Sequence, residues 1–541
     1  MSSSVINPWL APPHVVRTPG FVRDARPGPV QVPRTPVRAK TAELIFRAGV
    51  RRMPIRVELP DGRRWGAGGP DDPLMLLARP SELFRRIGRD ANIGFGEAYQ
   101  AGDWSSPQPA DLLTAFATQL TTVVPPSLQG LRIWAQRIRG HLESNTAAVA
   151  RRNTHAHYDL SNQMFATFLD ETMTYSCAWF DPLDPPDGQD GDGLTRAQLR
   201  KIDAVLDHAG VTTGTHVIEI GTGWGALSIR AAQRGATVTS LTLSVEQKRL
   251  AEERIRRAGV ADRVTVLLQD YREAVGQYDA VVSVEMIEAV GAHYWPTYFA
   301  TLDALLKPGG RVALQSITMP HDRMQITRRA YTWINKHIFP GGLIPSIEAI
   351  EATITQHTRL RITQRRDLGP DYAHTLRCWR ERFLTHWPSV ADMGFDETFK
   401  RTWEYYLAYS EAGFRTGYLN VSQLQLSADS RAIHEPRLSL RPRQPDVRHR
   451  PSRVPRTSGG EHQDPSDRAE LDTAGCAVAV VGDRIVPAVL LGTLAVAHCG
   501  DAVLVTGPQP GRHGCRARGV PVDPDPYRHT TAFSRNGFRP C

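Results

Sequence analysis

The stretch Val217-Ile-Glu-Ile-Gly-Thr-Gly-Trp-Gly225 constrains this chain most. An apolar strand runs straight into a loop with glycines at 221, 223 and 225, and the loop runs into a helix over Ala226–Gln233. Glycines let a backbone turn sharply and approach a ligand closely, and a helix N-terminus offers unpaired N–H groups. The alternation continues downstream. ATVTSLTL, RVTVLL, DAVVSV and RVALQSI read as strands, separated by helices over Val245–Arg257 and Tyr294–Leu306, with Lys307-Pro-Gly-Gly310 as the turn before the last of them. Such alternation predicts an α/β fold with a mainly parallel sheet covered on both faces.

A phosphate-binding dinucleotide fingerprint would place its third glycine one residue later. This GxGxG loop, with Glu219 two residues before Gly221, instead resembles motif I of the S-adenosylmethionine (SAM)-dependent methyltransferases. The resemblance implies a Rossmann-like seven-stranded sheet. It also implies cofactor contacts at Glu219, Gly221, Gly223, Trp224 and Gly225. Thr242, Leu243 and Gln247 close the second strand, and Asp270 and Tyr271 close the third, where open α/β sheets bind ligands. Read singly, Gln247 is an exposed helix residue and Tyr271 a core aromatic; together they favour a cofactor site.

The 541 residues exceed one compact domain, and six cysteines without CxxC or metal-ligand spacing read as free thiols in a reducing compartment. Residues 1–40, rich in Pro and Arg, read as a disordered arm, and 41–150 as a small α+β domain. In that domain Ile45–Leu59 reads as strand, and Pro80–Ile87, Pro109–Leu120 and Leu128–Leu142 as helices. Residues 151–427 form the catalytic domain, with a helix at Thr195–His208 and a last strand, NVSQLQLS, from Asn420 to Ser427. Residues 428–541 lack lysine and are rich in Arg and Pro, an atypical low-order tail. A formal charge of +9 favours anionic partners such as a phospholipid surface. Neither a secretory signal nor an apolar run of spanning length is evident, so a cytoplasmic protein, peripheral at the inner membrane face, is expected.

HYDLSNQMF (157–165), TYSCAWF (174–180), EIGTGWG, LTLSVEQ, SVEMIEAVG (283–291), LQSI (314–317) and FPGG (339–342) occur in this order. Together they resemble the cyclopropane-fatty-acyl-phospholipid synthases and mycolic acid cyclopropane synthases, over about residues 42–427. The resemblance implies methyl transfer from SAM to the cis double bond of a phospholipid acyl chain. Tyr175 and Ser176 would then join the cofactor site. A bound bicarbonate would serve as base, held by Cys177, Glu288, Gln315, Ile317 and Tyr372. Glu288 beside an anion must be protonated or compensated, and Glu288→Gln is expected to remove nearly all turnover. His157, Tyr158 and Asn162 would fold a lid over the cofactor.

The chain departs from the family pattern where better-known members carry histidine. Gln315 stands in the strand motif and Ala289 follows Glu288. A glutamine amide donates a hydrogen bond but carries no proton, so proton removal is the step in question. The product is either a cyclopropane or, after a hydride shift and reduction by NADPH, a mid-chain methyl branch. A nucleophilic Cys177 lacks a His–Asp constellation, and His155 with His157 lacks further metal partners. Trp333, Ile338, Phe339 and Leu343, in Tyr331–Ile344, would line an acyl tunnel or touch a bilayer, with Arg328, Arg329 and Lys336 suited to lipid phosphates. The bland alternative is a helix packed on the sheet. Other readings are a methyltransferase for a small polar acceptor and a catalytically impaired lipid-binding homologue. No nucleic-acid partner is expected, and a homodimer is left open.

Overall fold

The computed structural model describes residues 32–33, 36–123, 162–181, 193–328 and 330–428. The expectations for residues 1–31, the helix at Leu128–Leu142, His155, His157, Tyr158, Arg329 and the tail from 429 onward fall outside these. All described residues belong to one compact unit.

The chain first builds a small four-stranded sheet from β1 (Arg56–Glu58), β2 (Arg64–Trp65), β3 (Leu74–Leu77) and β4 (Trp104–Ser105), in the order β2-β1-β3-β4. Helices Pro36–Val50, Pro80–Arg89, Ala91–Ala101 and Pro109–Val123 accompany it. The strand expected over Ile45–Leu59 is helix as far as Val50, then a turn, and strand only at Arg56–Glu58. Ala42, Ile45, Phe46 and Val50 are the buried positions of Pro36–Val50, a spacing that lines one helical face and leaves only Arg56–Glu58 extended. That helix also begins inside the arm expected over 1–40.

The larger sheet contains β5 (His216–Ile220), β6 (Thr237–Thr242), β7 (Val264–Leu268), β8 (Tyr278–Val284), β9 (Leu306–Thr318), β10 (Leu360–Asp367) and β11 (Asn420–Ala428). Their order is β10-β11-β9-β8-β5-β6-β7, parallel from β9 to β7, with β10 and β11 antiparallel. The seven-stranded α/β expectation is met. Leu306 pairs with Tyr278 and Arg311 with Ala280, so Lys307–Gly310 loop out of the ladder, Gly309 taking a φ of +80°. The sequence reading did not include β10. Only Leu360 is fully buried along it, so its LRITQRRD pattern carries little apolar alternation.

Apolar strands such as β5, buried at Val217, Ile218 and Ile220, form the floor beneath the helices on either face. A second core is strongly aromatic. Phe165, Phe168, Trp379, Phe383 and Trp403 join Trp104 and Tyr405 from the N-terminal elements and the helix Glu397–Arg415 in one apolar cluster. The carboxyl ends of β5, β6, β8 and β9 share one edge of the sheet with the amino end of β11. That edge holds the site.

Candidate active site

The first component is the loop after β5. Gly221, Gly223 and Gly225 have φ values of +100°, +52° and +87°, in the left-handed region that side chains avoid. A Cβ on Gly221 would lie 2.7 Å from Met286 Cγ, so the loop is packed as tightly as glycine permits. Glu219 does not face outward. Its carboxylate accepts from Ser240 Oγ at 2.6 Å and from Ser228 Oγ, and burial pushes its pKa up to about 7. It braces the loop from beneath. Trp224 is buried, donates its indole N–H to Asn162 Oδ1 at 2.8 Å and packs against Phe165.

The ends of β6 and β7 supply polar groups beside this loop. Gln247, expected as an exposed residue when read singly, is buried, and its Oε1 accepts from Thr242 Oγ1 at 3.0 Å. Ser244 caps the following helix by accepting from Gln247 N, and half-buried Leu243 lies between these polar anchors. Asp270 is buried and bound bidentately by Arg272, at 2.8 and 2.6 Å. Tyr271 meets Tyr298 edge-on. A left-handed glycine loop, a buried amide and ordered polar strand ends suit SAM, which needs close backbone approach at its methionine end and polar partners for its ribose and adenine. The residues present fit that group.

The second component lies one strand over. Immediately after β8, Glu285 takes a φ of +51°; only Met173 shares that region among the described non-glycine residues. Its Oε1 accepts from Cys177 N at 2.9 Å and Gln315 Nε2 at 2.8 Å, and its Oε2 from Tyr372 OH at 2.7 Å. Gln315 is held in turn by Gln423 Nε2, which donates to Gln315 Oε1 at 3.0 Å across the β9–β11 ladder. That bond fixes the amide with its NH2 toward Glu285. Cys177 enters through its backbone, and its buried thiol is pushed well up by burial and by Glu285. Burial of this kind favours the neutral thiol over a nucleophilic thiolate.

Glu288, which the sequence reading placed in this cage, sits one turn on. Its Oε1 accepts from Ile317 N and from Ser316 Oγ at 3.0 Å, and its buried Oε2 has no hydrogen-bond partner among the described residues. Burial first, and the Glu285 charge second, push its pKa up to about 8. Burial raises Glu285 as well, opposed by its three donors and by Lys201. Glu285 has donors on both oxygens and Glu288 on Oε1 alone, a difference that favours the negative charge on Glu285 and the proton on Glu288. Cys177, Gln315 and Tyr372 are therefore brought together as expected, but around Glu285. Ile317 is brought to Glu288.

Lys201 also escaped the sequence reading. It is 1% exposed, donates to Ser176 Oγ at 2.6 Å, and burial lowers its pKa to about 8. Tyr175 shares a hydrogen bond with Tyr406 OH at 2.8 Å and stacks at a tilt on Trp379. These residues join the cofactor side to the cage through Tyr175-Ser176-Cys177. Glu285 lay within the quoted motif SVEMIEAVG, and its place at the carboxyl end of a buried strand was the signal that could have found it.

The segment Tyr331–Ile344 divides. Trp333 is fully buried, with its indole N–H on Gln100 Oε1, and Ile338 is buried too. Lys336 pairs with buried Glu97, so it is committed within the fold. Phe339 packs on Tyr406, and Leu343 N donates to the backbone carbonyl of Glu288 at 2.9 Å, tying the FPGG turn to the Glu288 backbone.

A doubly anchored glycine loop on a seven-stranded sheet, next to a cage of buried proton-handling groups, defines a SAM-dependent methyltransferase. Residues 145–424 match the family model for mycolic acid cyclopropane synthetase. The chain belongs to that family, whose members are SAM-dependent methyltransferases acting on fatty acyl chains. It is 53% identical over 406 residues to the tuberculostearic acid methyltransferase UfaA1 of Mycobacterium tuberculosis, covering 74% of this chain and 95% of that relative. It is 33% identical over 362 residues to the cyclopropane-fatty-acyl-phospholipid synthase of Escherichia coli K12, covering 66% and 88%. The solved cyclopropane synthase MmaA2 of Mycobacterium tuberculosis is 32% identical, with a TM-score of 0.46 over 52% of this chain and 98% of that one.

Proposed function

We propose that this enzyme methylates the cis double bond of an unsaturated acyl chain carried by a phospholipid, leading to a mid-chain methyl branch of the tuberculostearic type. The observation that carries the C-methylation is the caged carboxylate at the end of β8, the strand beside β5 and its cofactor loop, with Cys177 of the Tyr175-Ser176-Cys177 segment in the cage. When bound, SAM supplies an electrophilic methyl group on a positively charged sulfur. An alkene is a weak nucleophile, so the residues around it must hold it in line and keep water out. Tyr175, Trp379, Tyr406 and Phe339 pack on one another beside the cage, aromatic surroundings that favour an acyl chain over a small polar acceptor. Methylation leaves a cation on the chain, and the adjacent anionic cage stabilises it and receives a proton.

The branch is preferred because the tuberculostearic acid methyltransferase matches over nearly its whole length at 53% identity. A saturated branch then requires hydride from NADPH after proton loss. A ring is the second reading, favoured by the match to the cyclopropane synthase of Escherichia coli. Access to phospholipid implies work at the inner membrane surface. Among the described residues no helix is long and apolar enough to cross a membrane, and the net charge of +9 suits anionic headgroups.

The test incubates the purified full-length chain with methyl-labelled SAM and dioleoyl phospholipid vesicles, with and without NADPH, followed by mass analysis of the released acyl chains. A labelled chain that becomes a saturated methyl branch only with NADPH is expected. A labelled chain that resists hydrogenation without any reductant means the ring. Label confined to a water-soluble acceptor would overturn the lipid reading.

A further inference from the structure

We propose that the carboxylate of Glu285 stands in the anion position of this enzyme and is itself the base, in place of a bound bicarbonate. The inference rests on the lipid C-methylation reading and names the proton acceptor of that same site. Bicarbonate requires the donors that the family resemblance assigned to it, and here those donors are taken. Cys177 N has one hydrogen and gives it to Glu285 Oε1; Tyr372 has one hydroxyl hydrogen and gives it to Oε2. Gln315 Nε2 has two, one on Glu285 Oε1 and one directed at Cys177 O at 3.4 Å. No free donor remains on these three groups for a second anion. A bicarbonate would also bring another negative charge beside Glu285 and Glu288, where Lys201 is the cation that acts on Glu285 among the described residues. The residues present do not fit that group.

The backbone supports the assignment independently. A non-glycine residue at a φ of +51° costs about 1–3 kcal/mol. Glu285 N donates to Gln315 O at 2.8 Å, so the strained turn is tied to the strand that carries the cage. Strain of this size is retained where the side chain it aims is used. A carboxylate accepts at about four lone-pair sites, and the bonds from Cys177, Gln315 and Tyr372 occupy three. The fourth, on Oε2, is open to a proton, and the residue keeps partial exposure.

The step balances. The π pair of the alkene forms the bond to the donor's methyl carbon as the carbon–sulfur bond breaks, its electron pair staying on the departing, now neutral, sulfur; a cation is left on the neighbouring carbon. A hydride then moves from the methyl-bearing carbon to that cation. A C–H bond of the added carbon breaks, its electron pair becomes the exocyclic double bond, and the proton passes to Glu285 Oε2. Without the hydride shift, the same electron pair closes a cyclopropane.

The test compares initial rates in carbon-dioxide-depleted buffer with and without added bicarbonate, for the full-length enzyme and for Glu285→Gly. Glycine relieves the left-handed backbone and vacates the cage. The native enzyme is expected to show the same rate in both buffers. Glu285→Gly is expected to lose on the order of a thousandfold and to regain at least about tenfold of it with bicarbonate. Carbon-13 bicarbonate should give a bound NMR signal with Glu285→Gly and none with the native chain. A native rate that collapses on depletion and recovers with bicarbonate would overturn the inference, as would bicarbonate bound to the native chain. The NMR readout decides even where no lipid is methylated, so failure of the lipid reading is separable from failure of this one.

Discussion

The two halves of the site share a sheet edge and use opposite physics. Around β5 and β6 the work is done by backbone: three left-handed glycines, a helix start and neutral side chains that hold one another, as Thr242 holds Gln247. The carboxylates on that side are neutralised or turned inward: Asp270 is paired with Arg272, and Glu219 braces the loop from beneath. Around β8, β9 and β11 the work is done by ionisable groups, the half-buried Glu285 and Glu288 and the buried Lys201, with pKa values moved off their ordinary ranges. A surface that binds a cofactor must be pre-shaped and uncharged by itself; one that accepts a proton must keep one charged group and suppress its neighbour's charge.

Substitutions should separate these roles. Glu285→Gln removes the base but keeps the shape, so turnover should fall by on the order of a thousandfold while SAM affinity, measured by calorimetry, stays within about threefold. Gly221→Ala does the reverse. Its Cβ would meet Met286 Cγ at 2.7 Å in a left-handed backbone, so SAM binding should weaken by about thirtyfold, with the cage intact. Gln423→Ala frees the Gln315 amide to turn away, and the rate should drop by about tenfold with KM for lipid unchanged. Restoration by Gln423→Asn is not expected, because the shorter amide falls short of Gln315.

The smallest effect is expected at Glu288. Its raised pKa means the neutral form prevails below about pH 8 and ionises as pH rises through that value. Ionisation places a second negative charge beside Glu285, and Lys201 loses its positive charge over the same range. Turnover should therefore fall on the alkaline side of about pH 8. Glutamine mimics the protonated acid, so Glu288→Gln should cost no more than about fivefold and move the alkaline limb upward in a pH–rate profile. This replaces the near-total loss expected when Glu288 was assigned to the anion cage.

The two halves also differed in how much of each could be read before folding. The cofactor half is local: Val217–Gly225 and Leu241–Gln247 each declare a strand, a loop and a helix within a few residues, and the structure keeps the helices Ala226–Gln233 and Val245–Arg257 as expected. The cage is assembled from Cys177, Glu285, Gln315, Tyr372 and Gln423, far apart in the chain. Two carboxylates three residues apart look alike in a sequence; only the left-handed turn at 285 decides which one enters the cage. Lys201 lies within the expected helix Thr195–His208 but nothing in the sequence marked it out, because its burial depends on β9 and β11 packing on that helix. The helix Pro36–Val50 was mistaken in part for strand because its apolar residues cluster at its end, and β10 was missed because it buries so little.

The division of charge between the two carboxylates can be observed directly by infrared difference spectroscopy of the full-length enzyme at neutral pH, using the C=O stretch of a protonated carboxyl group. The stretch should vanish in Glu288→Gln and persist in Glu285→Gln. Its disappearance in Glu285→Gln instead, with Glu288→Gln unchanged, would place the proton on Glu285 and contradict its role as the waiting base.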